Sequence, residues 1–140
     1  MAEANGVKKL VSNFKDEVAS RPGGENVLNC FLCGSCTACC PISEIADNYN
    51  PRLVMRRILA GMKDDVLGGG EIWRCYQCHS CVAHCPQDVR FADIVRALRG
   101  MSVEQGYRDA KLAEDVDRAG EESRRELLER VNALIASAAG

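Results

Sequence analysis

An all-α fold is expected on three grounds. Apolar residues recur at three- and four-residue intervals in several separate stretches, no stretch alternates convincingly between apolar and polar residues, and aromatic residues make up only 5% of the chain. With so few rings, a core has to be built from Leu, Ile, Val, Met and Ala, side chains that favour helix packing over a β-sandwich. A chain of 140 residues suits one modest domain with extensions and has no room for two large catalytic domains. Hydrophobic residues at 46%, charged residues at 27% and a net charge of -2 describe an ordinary soluble balance with no bulk attraction to nucleic acid or anionic lipid. No stretch reaches the roughly 20 apolar residues needed to cross a bilayer, so no direct membrane insertion is expected.

Taken in chain order, Val7, Leu10, Val11, Phe14 and Val18 form a helical stripe that Arg21-Pro22-Gly23-Gly24 stops. Residues 1–24 are therefore read as an N-terminal helical extension, and residues 25–106 as the central domain. Within that domain, Met55, Ile58, Leu59, Met62 and Val66 predict one helix beginning at Asn50-Pro51 and ending at Gly68 to Gly70. Ile94, Val95 and Leu98 predict a short helix ended by Gly100. Residues 107–140 are highly charged, but Glu114 with Arg118, Glu121 with Arg125 and Glu126 with Arg130 are i, i+4 pairs in the favourable orientation, so this extension too is helical. Gly120 is expected to divide it into two helices. Leu127, Val131, Leu134 and Ile135 line one face of the second, either to pack on the chain's own core or to dock against another subunit.

The unusual feature is nine cysteines. Cys30, Cys33, Cys36, Cys40 and Pro41 recur 45 residues later as Cys75, Cys78, Cys81, Cys85 and Pro86, a two-fold internal repeat that leaves only Cys39 over. Each run reads C-x2-C-x2-C-x3-C-P, the spacing that binds cubane 4Fe-4S clusters in bacterial-type ferredoxins. Three thiolates two residues apart can wrap one cube, while the fourth lies too far along the emerging chain and ligates the other cluster. By this crossover one cluster takes Cys30, Cys33, Cys36 and Cys85, and the other takes Cys75, Cys78, Cys81 and Cys40. Cys36 and Cys40 then serve different clusters at a Cα separation of roughly 6 Å if helical and at most about 14 Å if extended, so a two-cluster electron relay follows.

Competing readings fit less well. Zinc needs four ligands per site and gives no reason for a third Cys followed by x3-C-P in both runs. At about 6% the cysteines are sparser than in a small secreted disulfide scaffold. No apolar signal segment lies near Met1, where Lys8, Lys9 and Lys15 intervene, so a reducing cytoplasm is expected. A thioredoxin-like C-x-x-C would need a βαβ context that is lacking. The Cys39-Cys40 pair superficially resembles the CCG motif of catalytic non-cubane clusters, but Pro41 stands where the glycine would be and no cysteine precedes Cys30. Cys39 is read as a small buried residue, His79 and His84 as loop residues near the second cluster, and Trp73 and Tyr76 as apolar cover beside Cys75. Arg52, Arg56 and Arg57 are read as the solvated face of a helix. No Gly-rich phosphate loop, dinucleotide fingerprint or plausible nucleophile is present, so redox centres and not a substrate site are expected, and no catalytic residue is assigned.

With a full helix between the runs, the arrangement resembles the α-helical ferredoxin fold of the iron-sulfur subunits of succinate dehydrogenase and fumarate reductase. The stretch from Cys30 through Arg99 further resembles the C-subunit family of heterodisulfide reductase. That likeness is carried by Cys30-Phe-Leu-Cys33-Gly-Ser-Cys36-Thr-Ala-Cys-Cys40-Pro41, by Ala60-Gly61 through Val66-Leu67, by Ile72-Trp73-Arg-Cys75 and by Asp93-Ile94-Val95. Cys39 departs from the small residue expected there, and the terminal helices are not covered. The resemblance implies an electron-transfer subunit between a flavin-containing subunit and a catalytic subunit that acts on a disulfide or related sulfur compound. A free, diffusing dicluster ferredoxin and a zinc-organised interaction module are the alternatives.

Overall fold

The computed structural model describes residues 9–138, so Val7 of the expected first helix lies outside the described residues. Among these residues all regular structure is helical: α1 Phe14–Ala19, α2 Ser35–Ala38, α3 Pro41–Ile45, α4 Pro51–Leu59, α5 Lys63–Gly68, α6 Ser80–His84, α7 Phe91–Glu104 and α8 Ala110–Ala138, with 3-10 turns at Val27–Asn29 and Glu71–Arg74. The all-α expectation is met. The chain divides into a first compact body ending at Tyr107 and a second beginning at Arg108.

The core of the first body is built around α7. Its Ile94, Val95, Leu98 and Met101 are fully buried, and it packs against α1, α5, α6 and the turn Glu71–Arg74. Each such side chain removed from water contributes about 1.5–3 kcal/mol before conformational entropy is set against it. From α4 and α5 come Met55, Ile58, Val66 and Leu67. The α1 segment belongs to this same core: Phe14 and Val18 are fully buried, Glu17 accepts from Lys63 at 2.7 Å and from Gln105 at 2.6 Å, and the Val11 amide donates to the Gly61 carbonyl at 2.8 Å. Leu10, counted in the expected stripe, is instead 61% exposed, because the helix does not start until a turn at Val11 has closed onto the Phe14 amide.

Three expected helix limits are corrected. The single helix after Pro51 is two, α4 and α5, broken at Ala60-Gly61. Gly61 has φ +77°, and a Cβ there would lie 2.5 Å from the Val11 carbonyl oxygen, so the N-terminal segment can approach only where a side chain is absent. The helix after the second cysteine run does not stop at Gly100 but continues to Glu104, and Gly106 with φ +75° follows its end. Gly120 does not divide the C-terminal segment: α8 runs unbroken for 29 residues, because a glycine costs only about 1 kcal/mol against alanine and its neighbours are strong helix formers. Asp109 caps α8, its side chain accepting from the Lys111 amide at 3.0 Å, and Arg118 pairs with Asp115 one turn back. No described residue of α8 is buried, and Leu127 and Leu134 are 60% and 68% exposed. Among the described residues no helix is long and apolar enough to cross a membrane.

Candidate metal centre

The sequence repeat is also a repeat of backbone shape. Leu32 and its counterpart Gln77 have φ of 59° and 58°, and Gly34 and its counterpart His79 have φ of 89° and 61°. A left-handed conformation costs a non-glycine residue about 1–2 kcal/mol, so holding Leu32, Gln77 and His79 there is strain tied to the site. Such turns bring successive amides round to one side and make concavities suited to anions, iron-sulfur groups among them. The Leu32 amide accordingly donates to the Cys30 sulfur, and the Ser35 amide to Cys33. After each loop a short helix starts at a serine, α2 at Ser35 and α6 at Ser80, with hydroxyls 3.3 Å from Cys33 Sγ and 3.5 Å from Cys78 Sγ. The two short helices pack against each other, which brings the runs face to face.

The eight repeated cysteines surround two adjoining concavities. One, of about 420 Å³ and open to solvent, is lined by Cys30, Cys33, Cys36 and Cys85 together with Cys81. The other, of about 320 Å³, is lined by Cys75, Cys78, Cys81 and Cys40 together with Cys36. Cys36, Cys81 and Phe91 line both and form the wall between them. Burial pushes the Cys36 thiol up to about 11 and the Cys81 thiol up to about 12, with neighbouring thiols adding to it, so without metal both stay neutral at physiological pH and must lose protons to bind iron. Cys33 is lowered by hydrogen bonds from Ser35 and by the Arg52 charge. Further amides aim at the sulfurs: Val89 donates to Cys85 at 3.4 Å, and Ala92 donates to Cys81.

Other residues singled out in the sequence divide between the site and the scaffold. Cys39 lines neither concavity; its thiol points to the Cys36 carbonyl at 3.7 Å, and burial raises its pKa. His79 and Tyr76 line the second concavity. His84 is exposed, with Nδ1 2.9 Å from the Ser80 carbonyl, and Trp73 is buried away from both cavities beneath the Arg99 guanidinium, 5.5 Å from its ring. Arg52 does more than face solvent, donating from Nε to the Leu32 carbonyl at 2.7 Å and from its amide to Thr37 Oγ1 at 3.0 Å, while Arg57 pairs with Glu71.

Three residues have roles no spacing rule would find. Tyr49 is 2% exposed and its hydroxyl is buried without a hydrogen-bond partner; burial, with Cys75 and Cys40 beside it, drives its pKa well above the usual phenol range. Gln77 donates from Nε2 to Cys75 Sγ at 3.3 Å. Buried Arg99 donates to the carbonyls of Ile72 at 3.0 Å, Trp73 at 3.2 Å and Cys75 at 2.8 Å, clamping the entry to the second loop. Helical spacing placed Arg99 on α7 next to Leu98, but nothing in a linear pattern marks a buried arginine.

Among the described residues no three Cys, His, Asp or Glu side chains converge closely enough to chelate a single ion. The thiols instead ring two spaces, with amides turned toward the sulfurs, and soft thiolate donors arranged this way suit a polynuclear iron-sulfur group. Fold and site together define a dicluster iron-sulfur protein. The chain belongs to the 4Fe-4S dicluster domain family, whose profile matches residues 13–90, and it therefore holds two 4Fe-4S clusters. It is similar to the iron-sulfur C subunit of the CoB--CoM heterodisulfide reductase of Methanopyrus kandleri, 38% identical over 59% of this chain and 42% of the relative. It is also similar to the C subunit of the H(2):CoB-CoM heterodisulfide,ferredoxin reductase of Methanothermobacter thermautotrophicus, 31% identical over 75% of this chain and 57% of the relative. With the C subunit of the ferredoxin:CoB-CoM heterodisulfide reductase of Methanosarcina acetivorans it shares 39% identity over 76% of this chain and 42% of the relative. The chain spans about half the length of these relatives. The resemblance to the heterodisulfide reductase C-subunit family read from the sequence is borne out.

Proposed function

We propose that this chain is the electron-transfer subunit of a heterodisulfide reductase-type complex, passing single electrons between a flavin-containing subunit and a catalytic subunit that acts on a disulfide or related sulfur compound. The observation that carries this reading is the shared wall: Cys36 and Cys81 each line both concavities, so two redox groups would sit side by side. A 4Fe-4S cluster, when bound, supplies a one-electron carrier. Cys30, Cys33, Cys36 and Cys85 would hold one, and Cys75, Cys78, Cys81 and Cys40 the other; the lining of the two concavities supports this crossover. With every iron carrying a thiolate, neither centre keeps an open position for a substrate sulfur, so the chemistry on substrate belongs to a partner. Names of the relatives, all C subunits of reductases, support membership of a complex, and the exposed Leu127, Val131, Leu134 and Ile135 support docking through α8.

The test is to purify the chain anaerobically with whatever copurifies, count iron and acid-labile sulfide, and assay the isolated chain for disulfide-dependent oxidation of a reduced dye. About eight irons per chain, copurifying polypeptides and no turnover by the chain alone are expected. Stoichiometric zinc in place of iron, or robust turnover by the monomer, would refute the reading. A full cluster complement on a chain that never comigrates with other polypeptides would favour a diffusing ferredoxin.

A further inference from the structure

The two halves of the site repeat in backbone but differ in the side chains around the first cysteine of each run. Cys30 and Cys75 occupy equivalent positions, and two residues after each the chain is left-handed, at Leu32 with φ 59° and at Gln77 with φ 58°. Leucine has nothing to donate. Gln77 donates from Nε2 to both Cys75 Sγ at 3.3 Å and the Ala92 carbonyl at 3.1 Å, and its Oε1 lies 3.4 Å from Arg96 Nη2. Both amide hydrogens and the oxygen are thus engaged, which fixes the orientation of the group. Tyr49 offers a second donor. Its hydroxyl is buried with no hydrogen-bond partner, so its hydrogen is uncommitted, and it lies beside Cys75. Forty-five residues on, the repeat places Ile94, which cannot donate and is fully buried in the α7 core.

The first half offers less. Thr37 has a hydroxyl beside the Cys36 thiol, but that hydroxyl donates to Asn50 Oδ1 at 2.9 Å and accepts from the Arg52 amide at 3.0 Å. Serine hydroxyls stand beside Cys33 and Cys78 alike and cancel between the halves. Arg52 brings positive charge near Cys33 but is exposed, where water and salt screen it. On the Cys75 side, the Arg99 cation on the Cys75 carbonyl is buried.

We propose that Gln77, and Tyr49 once a cluster is bound, are positioning residues that donate to the Cys75 sulfur and hold the centre containing Cys75 at a higher reduction potential than the centre containing Cys30. This rests on Cys75 being a cluster ligand. One-electron reduction adds negative charge to the cluster and its thiolates, and a donor hydrogen bond strengthens as its acceptor becomes more negative, so it stabilises the reduced form more than the oxidised one. The electron is the only particle that moves; Tyr49 and Gln77 keep their protons. The relay is therefore polarised, and in the half-reduced protein the electron resides on the Cys75 side.

The experiment uses the full chain carrying its clusters and follows each one by electron paramagnetic resonance during a potentiometric titration. Tyr49→Phe and Gln77→Leu should each lower the potential of the same single cluster, the higher of the two in the unaltered chain, by roughly three- to tenfold in the one-electron equilibrium, tenfold being about 59 mV. Leu32→Gln, which copies the second loop into the first at matching backbone, should raise the other cluster. Shifts in neither cluster, equal shifts in both, or a shift in the lower-potential cluster would overturn the proposal. Should Tyr49→Phe fail to load iron, Gln77→Leu and Leu32→Gln decide the matter, since each imports a side chain that the equivalent loop already accommodates. Fewer than eight irons in the unaltered chain would bring down the cluster assignment itself, an outcome distinct from full loading with unmoved potentials.

Discussion

Cys39 and Cys40 are adjacent in sequence, yet only Cys40 lines a concavity, because Cys40 has extended backbone at the start of α3 while Cys39 ends α2 with its thiol against the Cys36 carbonyl. Cys40→Ser should therefore disturb chiefly the cluster of Cys75, Cys78 and Cys81, and Cys39→Ser should leave both clusters loaded. Iron content and the two paramagnetic signals of each variant check this, and loss of a cluster on Cys39→Ser would mean that the wrong member of the pair has been assigned. Arg99 offers a second test. Replacing it with Met strands three carbonyls, those of Ile72 and Trp73 buried and that of Cys75 partly so, and should cost about 3–5 kcal/mol, and Arg99→Lys should recover little, because one ammonium cannot span the fork that reaches all three. Denaturant unfolding of the loaded protein measures both. A Lys variant as stable as the parent would show that the charge matters and the fork does not.

Helix limits depended on what approached each glycine. Gly61, Gly100 and Gly120 all sit within apolar periodic stretches, and only Gly61 breaks a helix, because only there does a distant backbone, that of Val11, come within 2.5 Å of where a Cβ would lie. Nothing lies within 4 Å of that point at Gly100, and at Gly120 only the flexible end of Arg124 comes near. Gly61→Ala should then destabilise the protein by more than about 1 kcal/mol, through both the clash and the left-handed backbone, whereas Gly120→Ala should raise helix content slightly and gain up to about 1 kcal/mol locally in α8. Thermal unfolding and far-ultraviolet circular dichroism of the two variants give opposite signs if this is right. At the centre of α7, Leu98→Ala empties a fully buried position and should cost about 2–5 kcal/mol.

Across the whole chain, the repeated cysteines and the exposed stripe proposed to dock a partner fall in different bodies. All eight repeated cysteines and the core lie before Tyr107, whose hydroxyl bonds Asp64 and whose ring lies 3.4 Å from the Cβ position of Gly68. The exposed apolar stripe lies in α8. Removing residues 108–140 should weaken assembly with copurifying subunits while leaving about eight irons in place, and the cut belongs after Tyr107 because that residue is tied to the first body. Size-exclusion chromatography beside an iron assay separates the two effects; loss of iron on truncation would show that the second body is needed to hold the clusters.

Much of this protein is written locally along the chain. Two C-x2-C-x2-C-x3-C-P runs, the helical period between them and the scarcity of aromatic residues specify an all-α dicluster protein, because thiol spacing and amphipathic period are properties of covalent neighbours. What surrounds the sulfurs depends instead on segments far apart in sequence. Tyr49 reaches Cys75 from a loop 26 residues earlier, Arg99 clamps that same loop from 24 residues beyond it, and Val11 sets the break at Gly61 from 50 residues away. Burial of an unpaired hydroxyl, capture of carbonyls by a guanidinium and close approach of two backbones arise only once the helices have packed, and no period or spacing in the sequence encodes which of them will meet.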